Sequence, residues 1–194
     1  MIDGALLRQA DFPSGWTAQP HSNSSTEQNN AELRGCLQLP DNSPIFAPAG
    51  LGGPHGSSPD FIQGNAAIHN DVSIEPKETI AAAFAVLSRS DLPGCISPVI
   101  RRVVQAALDK SSVKASIDSV QVAPLAVSSS GDVSRAYRAT TKVSVGGQQT
   151  AIYIDLVYVA RGAMTSSLTF QSIQVPTSAA TESQYTNLTV TRLK

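Results

Sequence analysis

Cys36 and Cys95 are the two cysteines of this 194-residue chain and the side chains with the most chemistry to offer. They sit in Leu33-Arg34-Gly35-Cys36 and Pro93-Gly94-Cys95-Ile96. In a chain rich in Ser, Thr and Asn they read best as one disulfide, which implies an oxidising compartment. The other reading, two buried thiols in a cytosolic protein, stays open at this point. A bridge closing the segment from 36 to 95 would stabilise by roughly 4 kcal/mol in the chain-entropy picture. The chain has no CxxC, and His21, His55 and His69 lack ligand spacing to either cysteine. No metal and no cofactor is therefore expected.

Other candidate groups carry weaker signals. His69, Asp71 and Glu75 fall at alternate positions, so on a strand they share one face, where His69 would be placed as a general base. A solvated polar face is the plainer reading of the same pattern. Asp155 interrupts an apolar run, where a lone carboxylate is costly, so Arg138 or Lys142 on the adjacent strand is expected to pair with it. Phe12, Trp16, Phe46 and Phe61 lie outside the regular elements and are candidates to line an apolar ligand groove. Capping the core beneath a long loop is the competing role for the four rings. Gly50-Leu51-Gly52-Gly53-Pro54-His55-Gly56 follows no strand and reads as a loop rather than a phosphate cradle. Arg101-Arg102 reads as a solvated pair. Asn23-Ser24-Ser25 and Asn187-Leu188-Thr189 fit the glycosylation tripeptide, which matters only in a eukaryotic secretory setting. No G-x-S-x-G, His-Glu-x-x-His or P-loop occurs, so the chain is not expected to be an enzyme.

Composition narrows the partners. Charged residues make up 15% and the formal net charge is -1. That balance offers no basic face for nucleic acid and no polybasic attraction to anionic membranes. No apolar run of spanning length occurs. Residues 1–10 carry Asp3 and Arg8 and no apolar leader core, so an exported chain would have lost its leader or anchor upstream of residue 1.

These groups must be positioned by the elements that the residue periods imply. Residues 4–10 and 26–35 read as short helices, the second with Ser25 or Thr26 as N-cap and Gly35 at its end. Residues 39–59 form a long, Pro- and Gly-rich loop. Residues 65–75 alternate as a half-buried strand, with Ala66, Ile68, Asn70, Val72 and Ile74 on one face. Ile80, Ala83, Phe84 and Leu87 mark a helix over 77–89. A second helix runs from Ser97 and Pro98 to about Asp109, with Cys95 just before it. Residues 113–123 form a strand bulged near Asp118, and Ser128–Gly131 turn. Strands over 134–145, 148–160 and 163–173 follow, joined at Gly146-Gly147 and Arg161-Gly162. The middle one is apolar on both faces, as a central strand is. Residues 178–190 read as a final helix with Tyr185 and Leu188 inward, and a strand is the alternative. The expected fold is a single α+β domain over 1–194, an antiparallel β-meander with helices packed mainly on one face.

Ala5-Leu6-Leu7 followed by Asp11-Phe12-Pro13-Ser14-Gly15-Trp16 resembles the opening of small actinobacterial envelope lipoproteins and sensor ectodomains. The later order is also similar: a cysteine, a strand, a helix by the second cysteine, then a meander turning at Arg161-Gly162. The nearest groups are the mycobacterial PknH-like sensor domain and the LpqN-like lipoproteins of Mog1/PsbP-like fold. The chain departs from the PknH-like sensor in having two cysteines rather than two disulfides. The resemblance implies a non-catalytic extracytoplasmic binding or sensor module, with a small apolar (lipid-like) or glycan ligand, or another envelope protein, as partner. Membrane contact would run only through an upstream anchor. An adaptor of an envelope complex is the alternative. An enzyme shaped like nuclear transport factor 2, with a deep pocket containing His69, Asp71 or Asp155 with shifted pKa values, is the remaining alternative.

Overall fold

The computed structural model describes residues 2–21, 26–40, 43, 46, 53–111, 114–127 and 131–194. In chain order the elements are α1 (Ile2–Ala5), a 3-10 turn (Gln9–Asp11), β1 (Thr17–Gln19), α2 (Thr26–Cys36), β2 (His55–Ser57), β3 (Asp60–Gln63) and β4 (Ala66–Ile74). They continue with α3 (Lys77–Leu87), α4 (Leu92–Lys110), β5 (Ala115–Pro124), β6 (Val133–Val145), β7 (Gln148–Arg161), β8 (Met164–Ile173) and α5 (Ala179–Arg192). The eight strands form one antiparallel sheet in the order β1-β3-β4-β8-β7-β6-β5, with β2 also paired to β4.

The meander β5–β8 has the expected turns. Gly146 and Gly147 take φ of 57° and 83°, so both residues of this tight turn lie in the left-handed region, where glycine carries no Cβ penalty. The register of β5 on β6 shifts between Ile117 and Ser119. Asp118 is the extra residue, and the shift returns Ile117, Val120 and Val122 to one face although their spacing is uneven.

Strand β7 lies between β6 and β8 and is covered on both sides. On one side α2, α3 and α4 pack over β5, β6 and part of β7 through Leu33, Phe84, Ile96, Val99, Ile100, Ala139, Val143 and Ile154. On the other side α1 and α5 cover β4, β8 and β7 through Leu7, Phe61, Ile68, Val157, Leu168, Phe170 and Tyr185. The helices therefore gather mainly on one face, while α1 and α5 close the second. Ser178 caps α5 by accepting from the Thr181 N–H at 3.1 Å. Glu182, Tyr185, Thr186, Thr189 and Val190 then fall on one buried stripe. That spacing and the cap select helix over strand here.

Several boundaries differ from the sequence reading. Residues 4–10 divide into α1 and the 3-10 turn, with Leu7 in between. Its N–H is taken by the Asn70 side chain at 2.9 Å, not by a helical carbonyl. Helix α4 begins at Leu92, so Cys95 lies inside it and the break is shorter than Asp91–Gly94. Pro98 sits in the helix interior on its exposed side, where the Gly94 carbonyl it cannot serve is open to water. The expected loop over 39–59 contains β2, because the edge of β4 holds His55–Ser57 in register. The Ser25 cap, Ser128–Ser130 of the turn, the Asn23 tripeptide and residues 41–42, 44–45 and 47–52 of the 39–59 loop lie outside the described residues.

Two long-range ties hold these layers. Cys36 at the end of α2 is bonded to Cys95 in α4 across a separation of 59 residues. Asn70, fully buried, accepts from Leu7 N–H and donates to Ala5 O and Ser166 Oγ, while its backbone exchanges hydrogen bonds with Ser58. Replacing both cysteines by alanine should lower the unfolding free energy by about 2–4 kcal/mol. Urea denaturation of the double variant against the native chain measures it, and an unchanged midpoint overturns it. Asn70→Ala strands Leu7 N–H and Ala5 C=O in the core and should cost about 2–4 kcal/mol. Hydrogen exchange should then show lost protection at Leu7.

Candidate functional site

The four aromatic candidates separate. Phe12, Trp16 and Phe61 come together, with ring centroids 5.1 Å apart for Phe12–Trp16 and 4.2 Å for Phe12–Phe61. Tyr185 joins them at 4.7 Å from Phe12. This stack belongs to the core beneath α5, and Phe61 is 0% exposed. Stacked pairs of this kind add about 0.5–1.5 kcal/mol beyond the area they bury. Phe46 packs against the opposite core cluster, over α2–α4. The four rings therefore do not share one groove; three of them close the core where the N-terminal segment docks.

Asp155 has the partner its apolar setting demands. It is 0% exposed and sits directly across from Arg138 on β6. Arg138 donates from Nε to Oδ1 at 2.6 Å and from Nη2 to Oδ2 at 2.8 Å. Lys142 lies opposite Ala151, away from this pair. No residue pattern pointed to the third member, Glu182 of α5, which accepts from Arg138 Nη2 at 2.9 Å. One guanidinium thus faces two buried carboxylates. Burial first, then the hydrogen bond to Asp155 and its charge, push the Glu182 carboxyl up to about 7, against the pull of Arg138.

The polar face predicted for β4 meets a second histidine and a second aspartate. On the side that carries α2–α4, the sheet changes character after β7. Its inward rows are apolar from β5 to β7. From β8 to β3 they carry Thr165, Ser167, Thr169, Ser73, Asp71, His69 and Asp60. A two-residue turn at Gly64-Asn65 pairs β3 with β4 so that Asp60 stands beside His69. Pairing of β1 with β3 puts Gln19 opposite Asp60 and carries the chain on to His21. The Asp60 carboxylate oxygen Oδ1 lies 2.8 Å from His21 Nδ1 and 3.2 Å from His69 Nδ1. The two imidazole rings stack with centroids 4.2 Å apart. His69 Nε2 faces Asp71 Oδ2 at 3.9 Å. Asp71 itself accepts from Ser57 Oγ at 2.5 Å and from Ser167 Oγ at 3.4 Å.

Desolvation holds His69 below the usual imidazole range, helped by His21 and opposed by Asp71 and Asp60. Its ring is therefore neutral near pH 7. On the same face, desolvation and the Asp71 charge raise the Tyr158 hydroxyl to about 12. Ser57, His69 and Asp71 do not form a nucleophilic relay. In that relay the histidine stands between hydroxyl and carboxylate, whereas here the Ser57 hydroxyl donates straight to Asp71. Glu75 lies beyond β4 and outside this group. Asp155 faces the opposite side of the sheet, so it shares no pocket with His69 and Asp71.

Sequence reading found His69 and Asp71 but missed His21 and Asp60. The missed signal is Gln63-Gly64-Asn65-Ala66, a tight turn that makes residues 60–63 a strand and sets Asp60 against His69. His21 leaves no such signal, because the pairing of β1 with β3 spans more than forty residues.

A hollow of ≈ 580 Å³ lies at the far end of the sheet, lined by Lys142, Val145, Gln148, Thr150, Ile173 and Gln174. None of the four aromatic candidates lines it. Ile173 is 42% exposed and Val175 70% exposed beside it. The scan of known protein families finds no match, and the search of curated proteins finds none. The disulfide fits an oxidising, extracytoplasmic setting. Among the described residues no helix is long and apolar enough to cross a membrane.

Glu182 generates a pH test. Its folded value near 7 lies above the ordinary 4.5, so its contribution is complete below about 4.5 and is lost as pH rises through 7. Native stability should fall across that window. Glu182→Gln keeps an acceptor for Arg138 and a donor for Asp155 without titrating. It should flatten that fall and exceed the native chain in melting temperature at about pH 8. Melting curves at several pH values measure both.

Proposed function

We propose that this protein is a non-catalytic binding module of an exported or envelope protein, tethered through a segment upstream of residue 1. The observation that carries the reading is the half-sheet where Asp60, His69, Asp71, Ser167 and Thr169 stand side by side. Two carboxylates, two imidazoles and a row of hydroxyls in partly buried positions offer closely spaced acceptors and donors. A polyhydroxylated ligand presents matching groups, since each sugar hydroxyl both donates and accepts. Ligand sites need few polar groups, but those must converge. A glycan therefore suits this face better than a lipid-like ligand, because Phe12 and Phe61 are buried in the core and Trp16 and Phe46 pack against it elsewhere. The disulfide, the uncharged polar composition and the Asp11-Phe12-Pro13-Ser14-Gly15-Trp16 opening support the address at the envelope. A second reading, an adaptor for another envelope protein, draws on the exposed Ile173 and Val175 beside the hollow.

Titration of isotope-labelled protein with soluble envelope glycan fragments, followed by amide chemical shifts, tests the proposal. Shifts should concentrate at residues 57–71 and 165–171. Asp71→Asn should weaken the response at least severalfold, since a charged hydrogen bond is worth about 1.5–3 kcal/mol. Saturating glycan that moves none of those amides overturns the reading. A protein partner that moves only residues 148–151 and 173–175 replaces it with the adaptor.

A further inference from the structure

We infer that His21, His69 and Asp60 form a binding site for one divalent transition-metal ion, with zinc the best match. One donor atom from each of the three side chains lies within 4.8 Å of the others. Two imidazoles and one carboxylate are the ligand types that zinc and its neighbours select. In a tetrahedral zinc site with bonds of about 2.0–2.2 Å, adjacent donors stand about 3.3 Å apart. Asp60 Oδ1 stands 2.8 Å from His21 Nδ1 and 3.2 Å from His69 Nδ1, so small side-chain rotations open the cluster to that spacing. The backbone need not move, because Asp60 and His69 occupy paired strands and His21 follows the strand next to them.

The hydrogen bonding around His69 supplies the second argument. Without an ion, His21 Nδ1 hydrogen-bonds to Asp60 Oδ1 at 2.8 Å, and His69 Nδ1 stands 3.2 Å from the same oxygen. His69 Nε2 lies on the opposite edge of the ring, 3.9 Å from Asp71 Oδ2. With an ion on Nδ1, the ring proton sits on Nε2, on the side of Asp71, and a small ring movement would let it donate there. That is the carboxylate–histidine–metal arrangement which fixes the tautomer and raises ligand basicity. Asp71 is already oriented for it by Ser57 and Ser167. Three protein ligands leave a fourth position for water or a ligand group, and Asp60 and His69 also belong to the proposed glycan surface. The inference deepens the binding-face reading and rests on it only in sharing that surface.

Calorimetric titration of chelator-dialysed, disulfide-intact protein with a zinc salt tests it. The expected result is one zinc per chain. His21→Ala, His69→Ala and Asp60→Asn should each lower affinity at least tenfold, and Asp71→Asn about tenfold or more. His55→Ala, which removes an exposed histidine outside the cluster, should change nothing. Imidazole resonances of the native chain provide the readout that needs no variant: zinc should shift His21 and His69 and leave His55 in place. Absence of binding, imidazoles that stay put, or a loss as large in His55→Ala overturns the site. Zinc binding without a glycan response removes only the glycan reading, and a glycan response without zinc removes only the metal.

Discussion

A single buried amide, Asn70, holds the two halves of this fold in place. Its side chain sits in an otherwise apolar face of β4 and has all its strong hydrogen-bonding capacity used. A buried amide is tolerated only on that condition. Its partners are the backbone of Ala5 and Leu7 and the hydroxyl of Ser166, so the N-terminal segment cannot drift from the sheet. With that segment fixed, Phe12 meets Phe61 and Tyr185, and Arg192 reaches Asp11 through two hydrogen bonds of 2.7 and 2.6 Å. The same docking sets β1 against β3 and delivers His21 to the sheet. One satisfied polar contact thus leads from core packing to the candidate site.

The sheet has two unlike faces, and one of these is itself divided. Under α1 and α5 it runs apolar from Phe61 across Ile68 and Leu168 to Val157, with Asn70 and the Arg138–Asp155 pair set into it. Under α2–α4 it is apolar only as far as β7, and polar beyond it. The Cys36–Cys95 bridge ties α2 to α4 over the apolar half. This division lets one sheet supply both a core and a surface with convergent polar groups.

Charge is treated differently at Asp155 and at Asp60. Asp155 and Glu182 share Arg138, whose fork answers both carboxylates and whose stem is packed between β6 and α5. That is a closed arrangement in which every strong group has a partner. At Asp60 the charge is met only by imidazoles, of which His69 is kept neutral, and Asp71 stands on the far side of the same ring. The first cluster is complete as it stands; the second sets two carboxylates around the His69 ring, with His21 stacked beside it.

Much of this was readable from residue order. Alternation defined β4 and β6–β8, the phase slip at Asp118 marked the bulge, and the apolar stripe of α3 set its inward face. That Asp155 would pair with Arg138 or Lys142 followed from the cost of an unpaired carboxylate in an apolar strand, and the register of β6 on β7 selected Arg138. Elements of three or four residues, β1, β2 and β3, were not readable, because so short a run carries no period and is made a strand by its neighbour. Tertiary structure alone decided that His21 and Asp60 join His69, that Glu182 joins Asp155, and that the aromatic trio closes the core. Local sequence determines which side chains share a face, since the two- and 3.6-residue periods are properties of the backbone itself. Which faces meet depends on strand order and helix docking, and those are set by contacts between residues far apart in the chain.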